Sequence, residues 1–231
     1  MRILIVGGSR GIGKAIAAEL VKSGHSVLVT GRNKETLERT GQELGAGVQT
    51  FAMDVTKEAD AKALAAYVEK DFPVDGVVLS AAQFPKPETK TSVTAPEAEE
   101  LSSILDANVT ANYRLIRLLL PQLKARKDPR VVIIGSTSGI RQDKGGVYGI
   151  SKWALASYAY NLRDELKGLG IGVSLINPGG TFTETRVKHG EEDRSLLESS
   201  DFGILVDALF RMSPQAVLER VDMRPLAGDT Y

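Results

Sequence analysis

The chain has 231 residues, 42% of them hydrophobic and 25% charged, an ordinary globular mix that excludes a disordered tail protein. Lys plus Arg number 29 and Asp plus Glu number 29, for a net charge of zero, which argues against nucleic acid or a membrane surface as the main partner. With no cysteine, disulfides, thiolate metal sites and a cysteine nucleophile are excluded together. His25 and His189 lie far apart and lack metal-ligand spacing, so no metal site is expected. No apolar run reaches the roughly 18 residues of a membrane span. The chain opens Met1-Arg2 and enters apolar sequence at once, leaving no room there for a secretory signal. The expectation is a soluble, cytoplasmic protein.

Ile3-Leu4-Ile5-Val6 is a continuous apolar run closed by Gly7-Gly8 and predicts a strand buried on both faces. Spacings of three and four predict a helix over 12–22. A strand over 26–30, a helix over 34–44, a strand over 48–52 and a helix over 59–70 follow. A fourth strand is predicted over 75–80. Residues 96–126 read as one long, mostly helical stretch that Pro121 ends or kinks. A strand over 130–134, a helix over 147–167 capped by Gly168, and a strand over 172–176 come next. A helix over 201–212 and a strand over 217–223 close the chain. Strand and helix alternate throughout, with no linker between. That predicts one α/β domain over 1–231, a doubly wound parallel sheet of about seven strands with helices on both faces.

Between the first strand and first helix stands Gly7-Gly8-Ser9-Arg10-Gly11-Ile12-Gly13. Gly7 permits a tight turn, Gly11 lets backbone approach a pyrophosphate, and Gly13 allows close helix–sheet packing. The spacing G-x-x-x-G-x-G differs from the commoner G-x-G-x-x-G. At the end of the second strand, where an NAD site carries an acid, stand Gly31 and Arg32. A guanidinium suits a 2′-phosphate, and Arg10 can reach the same group. Asp54, after the third strand, reads either as an adenine contact or as a local cap before Thr56.

Tyr148 and Lys152 are four residues apart on one helix face. A phenol near pKa 10 transfers protons poorly at neutral pH, and a neighbouring ammonium lowers it. Ser136 ends the fifth strand in Gly135-Ser136-Thr137-Ser138-Gly139, where ligands of such sheets bind. Its hydroxyl can hold a substrate oxygen while Tyr148 exchanges the proton.

With the Gly7/Gly11/Gly13 turn, Asp54-Val55, Asn108, Ser136, Tyr148-Gly149-Ile150-Ser151-Lys152 and Pro178-Gly179 followed by Thr183, the chain resembles the short-chain dehydrogenase/reductase family. The resemblance covers residues 1 to about 183 plus the final strand. It implies Tyr148 as general acid or base, Lys152 lowering its pKa and holding the nicotinamide ribose, Ser136 positioning the carbonyl, and Asn108 holding a water in a relay behind Lys152. It implies NADP(H) contacts at Gly7, Ser9, Arg10, Gly11, Ile12 and Gly13, at Arg32 and Asn33, and at Asp54 and Val55. Further contacts are implied at Ala81, Ala82, Tyr148, Lys152, Pro178, Gly179, Thr181 and Thr183, the last beside the nicotinamide. Three places depart from the family pattern. Val6 stands for a threonine that ties neighbouring strands. Ser80-Ala81-Ala82-Gln83 replaces Asn-Asn-Ala-Gly, so that Gln83 faces substrate or carboxamide instead. The Ser136–Tyr148 interval is one residue short, which makes Ser138 a rival for the serine role.

The expected activity is NADPH-dependent reduction of a ketone or aldehyde, or the reverse oxidation of an alcohol, on a small-molecule substrate. The alternatives are a non-catalytic NADP(H)-binding regulator on the same fold, and a nucleotide-sugar epimerase or dehydratase, which needs a longer substrate domain. Trp153 and Tyr160 lie off the core stripe of their helix, which predicts a homodimer or homotetramer. Residues 184–198 are highly charged and poor in apolar groups, and predict a mobile lid over the substrate.

Overall fold

The computed structural model describes residues 1–141, 145–183 and 196–228. Its centre is a sheet of seven parallel strands: β1 (Arg2–Val6), β2 (Ser26–Gly31), β3 (Val48–Ala52), β4 (Gly76–Leu79), β5 (Arg130–Ile134), β6 (Gly172–Pro178) and β9 (Arg220–Met223), in the order β3-β2-β1-β4-β5-β6-β9. Ile5 of β1 pairs with Val29 on one side and Val78 on the other. Leu4 and Val6 point into one core, Ile3 and Ile5 into the other. Helices cover both faces, so neither set of alternate side chains meets water, and the strand reads as unbroken apolar sequence.

One core is closed by α3 (Glu58–Lys70), α5 (Ala111–Lys124) and α6 (Gly146–Leu166). The other is closed by α1 (Gly11–Lys22), α2 (Lys34–Leu44) and α7 (Ser199–Arg211). The chain winds outward from β1 to β3, then returns to place β4 on the far side of β1. Between the carboxyl ends of β1 and β4 lies the switch point where open α/β sheets hold their ligands. The glycine turn and Ser80–Gln83 flank it.

The long helical stretch over 96–126 is two helices. α4 (Ala98–Leu105) and α5 are separated by a wide π-type turn, Asp106–Thr110, that carries Asn108. Pro121 neither ends nor interrupts α5, which runs on to Lys124. After α6 the chain makes a tight 3-10 turn over Lys167–Leu169, and Gly170, at φ 70°, stops it in place of Gly168. α7 begins two residues earlier than predicted. The last strand is shorter than the predicted 217–223, because the chain ahead of it folds onto Arg130. That guanidinium donates to the carbonyls of Met212, Ser213 and Ala216. A small parallel pair, β7 (Thr181–Phe182) with β8 (Leu197–Glu198), was not predicted. It anchors 196–198 of the predicted lid, with Leu196 buried. The rest of that segment, 184–195, and His189 with it, lies outside the described residues.

Candidate active site

Gly7 has φ +83°, and a Cβ there would sit 2.5 Å from the Cα of Ala81. A Cβ on Gly13 would run into the Gly7 carbonyl oxygen. The turn is therefore folded on itself so that only glycine fits, and it brings the start of α1 to the switch point. Arg10, extended ahead of α1, makes no side-chain cap bond, and the first turn carries no acid. Uncapped N–H groups in a concave, glycine-only turn suit a pyrophosphate. Thr183 approaches the same place, its Cγ2 lying 3.6 Å from where a Gly11 Cβ would stand. It thus sits against the phosphate turn.

At the end of β2, a side chain on Gly31 would meet the Ser9 Oγ at 2.8 Å. Arg32 is exposed, and Arg10 donates from Nη2 to Thr36 Oγ1 at 3.1 Å. Asn33 is committed to α2, where its Oδ1 caps the Thr36 N–H at 2.8 Å. Asp54 accepts at Oδ1 from the Thr56 N–H at 3.0 Å and the Thr56 hydroxyl at 2.8 Å, so the local reading of Asp54 is realised as a turn. Burial opposes its charge, but the Thr56 bonds and the nearby Arg32 hold its carboxyl below the usual range. Val55 packs against the core beside it.

Ser136 follows β5. Its N–H donates to Asn177 Oδ1 at 3.3 Å, and its Oγ accepts from the Ser138 N–H at 3.1 Å. Of the two serines, Ser136 is the one whose side chain bears on the Tyr148 phenol and favours its ionised form, while Ser138 contributes its backbone N–H to the Ser136 Oγ. The turn Thr137–Gly139 lies on α6 so closely that a Gly139 Cβ would be 2.6 Å from the Lys152 carbonyl oxygen. That close packing accommodates the short interval. Lys152 is 2% exposed, and its Nζ donates to the Ile134 carbonyl at 3.1 Å. Burial pulls the Lys152 pKa down to about 8. Burial pushes the Tyr148 phenol up, opposed among the described residues only by Ser136. The expected lowering of Tyr148 by Lys152 is not found: Nζ is turned to Ile134, 5.5 Å from the Tyr148 ring centre, and desolvation outweighs it.

Asn108 is fully buried. Its Oδ1 accepts from the Gln83 N–H at 2.7 Å, and its Nδ2 donates to the Gln83 carbonyl at 3.0 Å and Ser151 Oγ at 2.9 Å. Its own carbonyl accepts from Asn112 Nδ2 at 2.7 Å. The Gln83 side chain donates from Nε2 to Ser103 Oγ on α4, at 2.9 Å. On the β6 side, Gly179 donates to the Met223 carbonyl at 2.8 Å, and Thr181 Oγ1 to the Gly179 carbonyl at 2.9 Å. The segment Pro178–Thr183 is thus tied down next to the switch point.

The family model for short chain dehydrogenases matches residues 1–194. The chain belongs to the short-chain dehydrogenase family. An NADP-dependent 3-hydroxy acid dehydrogenase, YdfG, of Salmonella typhi is 32% identical over 200 residues, covering 83% of this chain and 79% of that one. An uncharacterized oxidoreductase of Staphylococcus epidermidis is 27% identical and covers 96% of both chains. Among solved structures, a short-chain dehydrogenase from Shigella flexneri 2a complexed with NADP is 26% identical. It has a TM-score of 0.82 and covers 96% of this chain and 95% of that one. A closed form of serine dehydrogenase complexed with NADP+ gives a TM-score of 0.90 at 24% identity, covering 100% and 97%.

This family member compensates for its departures from within the fold. The hydroxyl missing at Val6 is supplied by Thr30 on the neighbouring strand, whose Oγ1 accepts from the Gly7 N–H at 3.3 Å. The altered Ser80–Gln83 turn is held by Asn108. Three contributors were missed in the sequence. Asn177 aligns Ser136 and donates to Asp222 at 2.7 Å; its signal is a buried amide at the end of a mostly apolar strand. Asp222 is gripped by Arg220. Phe84, an aromatic residue just after the turn, stacks on Tyr148 with ring centres 4.8 Å apart.

Proposed function

We propose that this chain is an NADPH-dependent oxidoreductase of the carbonyl reductase or alcohol dehydrogenase type, reducing a ketone or aldehyde with Tyr148 as proton donor. The observation that carries this reading is Tyr148 and Lys152 one turn apart on α6, with Lys152 buried and its Nζ 5.5 Å from the Tyr148 ring centre, and Ser136 beside them at the end of β5. Gly7, Ser9, Arg10, Gly11, Ile12 and Gly13 would hold the pyrophosphate and Arg32 the 2′-phosphate. Asp54, Val55, Ala81, Ala82, Pro178, Gly179, Thr181 and Thr183 would border the rest of the dinucleotide. A bound nicotinamide supplies the hydride. Ser136 and Tyr148 point their hydroxyls at the carbonyl oxygen, polarising it as negative charge develops there. Tyr148 then gives its proton to that oxygen. With the dinucleotide bound, a Lys152 ammonium turned from the Ile134 carbonyl toward the nicotinamide ribose would favour the phenolate left behind, and a water at Asn108 would complete the route that restores the proton.

The preference for NADP rests on Gly31-Arg32 in place of an acid. The NADP-dependent relative and the NADP-bound family structure support it. We place the enzyme in the cytoplasm as a homo-oligomer acting on small molecules. A panel of carbonyl compounds followed by NADPH consumption tests the reading. Turnover of at least one class is expected. NADPH binding without turnover across the panel would overturn it in favour of a non-catalytic binder.

A further inference from the structure

We infer that Phe84 is a specificity-determining residue, and that the substrate it selects carries a flat apolar group, above all an aryl ring, beside its carbonyl. This rests on the oxidoreductase reading of Tyr148. The Phe84 ring lies nearly parallel to that of Tyr148, at 4.8 Å and 19°. It is nevertheless 65% exposed, an unusual state for a phenylalanine. It is not a loose surface side chain. Gln83, the residue before it, has both its N–H and its carbonyl bonded to Asn108. The Gln83 side chain is bonded to Ser103. Three anchors on one residue fix the backbone from which Phe84 projects and aim its ring at the catalytic phenol.

Phe84 also lines an open cleft of about 460 Å³, together with Gln83, Lys86, Ser103 and acidic side chains at the start of α4. Among the described residues of that lining, Phe84 is the single apolar side chain. A substrate whose carbonyl oxygen meets Ser136 and Tyr148 has its neighbouring substituent next to this ring. A flat apolar substituent gains an offset stack on Phe84; a small aliphatic one gains little. The other lining side chains are polar or charged and give a flat ring no second aromatic face.

The test uses the full chain with acetophenone and 2-butanone as probes, comparing wild type, Phe84→Ala and Phe84→Tyr. Steady-state rates with NADPH are measured beside calorimetric binding of acetophenone in the presence of NADP+, which needs no turnover. Wild type is expected to favour acetophenone. Phe84→Ala should raise KM for acetophenone about tenfold and weaken its binding equally, with 2-butanone moved less than about twofold. Phe84→Tyr should restore both acetophenone values, which a merely structural role for the position would not predict selectively. Equal effects on the two ketones, no effect on either, or no acetophenone binding by wild type would overturn the inference. Binding of acetophenone that depends on Phe84 but consumes no NADPH would leave the subsite standing and sink the reductase reading instead.

Discussion

Tyr148 keeps its proton because burial disfavours the phenolate, and among the described residues only Ser136 opposes that. A proton held this firmly is released only to an oxygen that is gaining charge, as a carbonyl does on accepting hydride. Tyr148→Phe should therefore lower kcat at least about 100-fold while leaving NADPH affinity, read by fluorescence titration, nearly unchanged. Retention of most of the rate would remove Tyr148 from the mechanism. Lys152 makes the opposite demand, being a cation buried with a carbonyl for a partner. Burial lowers its pKa from the ordinary 10.5 to about 8 on folding. Below pH 8 both states hold the proton, and the folded state carries the whole penalty. Between pH 8 and 10.5 the unfolded chain binds more protons, so stability from this group rises with pH, and above 10.5 the penalty is gone. Lys152→Met should accordingly stabilise the fold at pH 7 by about 1–3 kcal/mol, with the gain shrinking toward pH 10 in denaturant melts. A gain that grew with pH would contradict this. At the far end of the site, Arg32→Asp puts a carboxylate where a 2′-phosphate would lie. The ratio of NADPH to NADH affinity should fall more than tenfold, since a charged hydrogen bond contributes about 1.5–3 kcal/mol; an unchanged ratio would assign the discrimination elsewhere.

The turn between α4 and α5 shows what an element does when a polar side chain is called away from it. The α-helical pattern continues across Asp106–Thr110, yet the backbone widens there and Asn108 faces Gln83 and Ser151. Asn108→Ala would leave the Gln83 N–H and carbonyl without that partner, inside the fold. It should cost about 2 kcal/mol and lower Tm by about 4–8 °C. Because Gln83 carries Phe84, it should also loosen the stack on Tyr148. A melting curve identical to wild type would mean that Asn108 anchors nothing. This wide turn was not legible in the sequence, since Gln83 and Asn108 are 25 residues apart and helical spacing reports only on residues within a few turns. The same separation hid Asn177 behind Ser136, 41 residues away, and Asp222 behind Asn177, 45 away. By contrast β1 and β5 were plain, because a strand buried on both faces writes its environment into every side chain. The glycine turn and the Tyr148–Lys152 pair were plain too, being set by contacts within a few residues. Lys152's choice of the Ile134 carbonyl was not: helix spacing fixes a face, not the atom a long side chain selects.

At the scale of the whole molecule, the sheet order places every candidate site residue at one end of the parallel strands, leaving the outer faces of α5 and α6 with no task in the chemistry. Those faces are not ordinary solvent surfaces. Ile150, Trp153 and Tyr160 on α6 are 44%, 47% and 43% exposed, and Tyr113 on α5 is 48% exposed. Residues 153 and 160 are seven apart, so they fall on one stripe. The polar tips of both are already engaged within the chain, Trp153 Nε1 with the Arg141 carbonyl and the Tyr160 hydroxyl with Arg220. What remains outward is ring surface, fixed in place and uncovered among the described residues, the kind of rigid aromatic anchor that protein interfaces favour. A second copy of the chain presents the same stripe, and a two-fold axis lets each set of rings cover the other. The chain should therefore sediment as a dimer or tetramer at micromolar concentration. Trp153→Glu, which sets like charges against each other across the axis, should shift it toward monomer. The Nε1 bond lost in that variant lies at the surface, so its melting temperature should drop by no more than a few degrees. A wild-type monomer at micromolar concentration, or an oligomer indifferent to Trp153→Glu, would show that these rings face water for another reason.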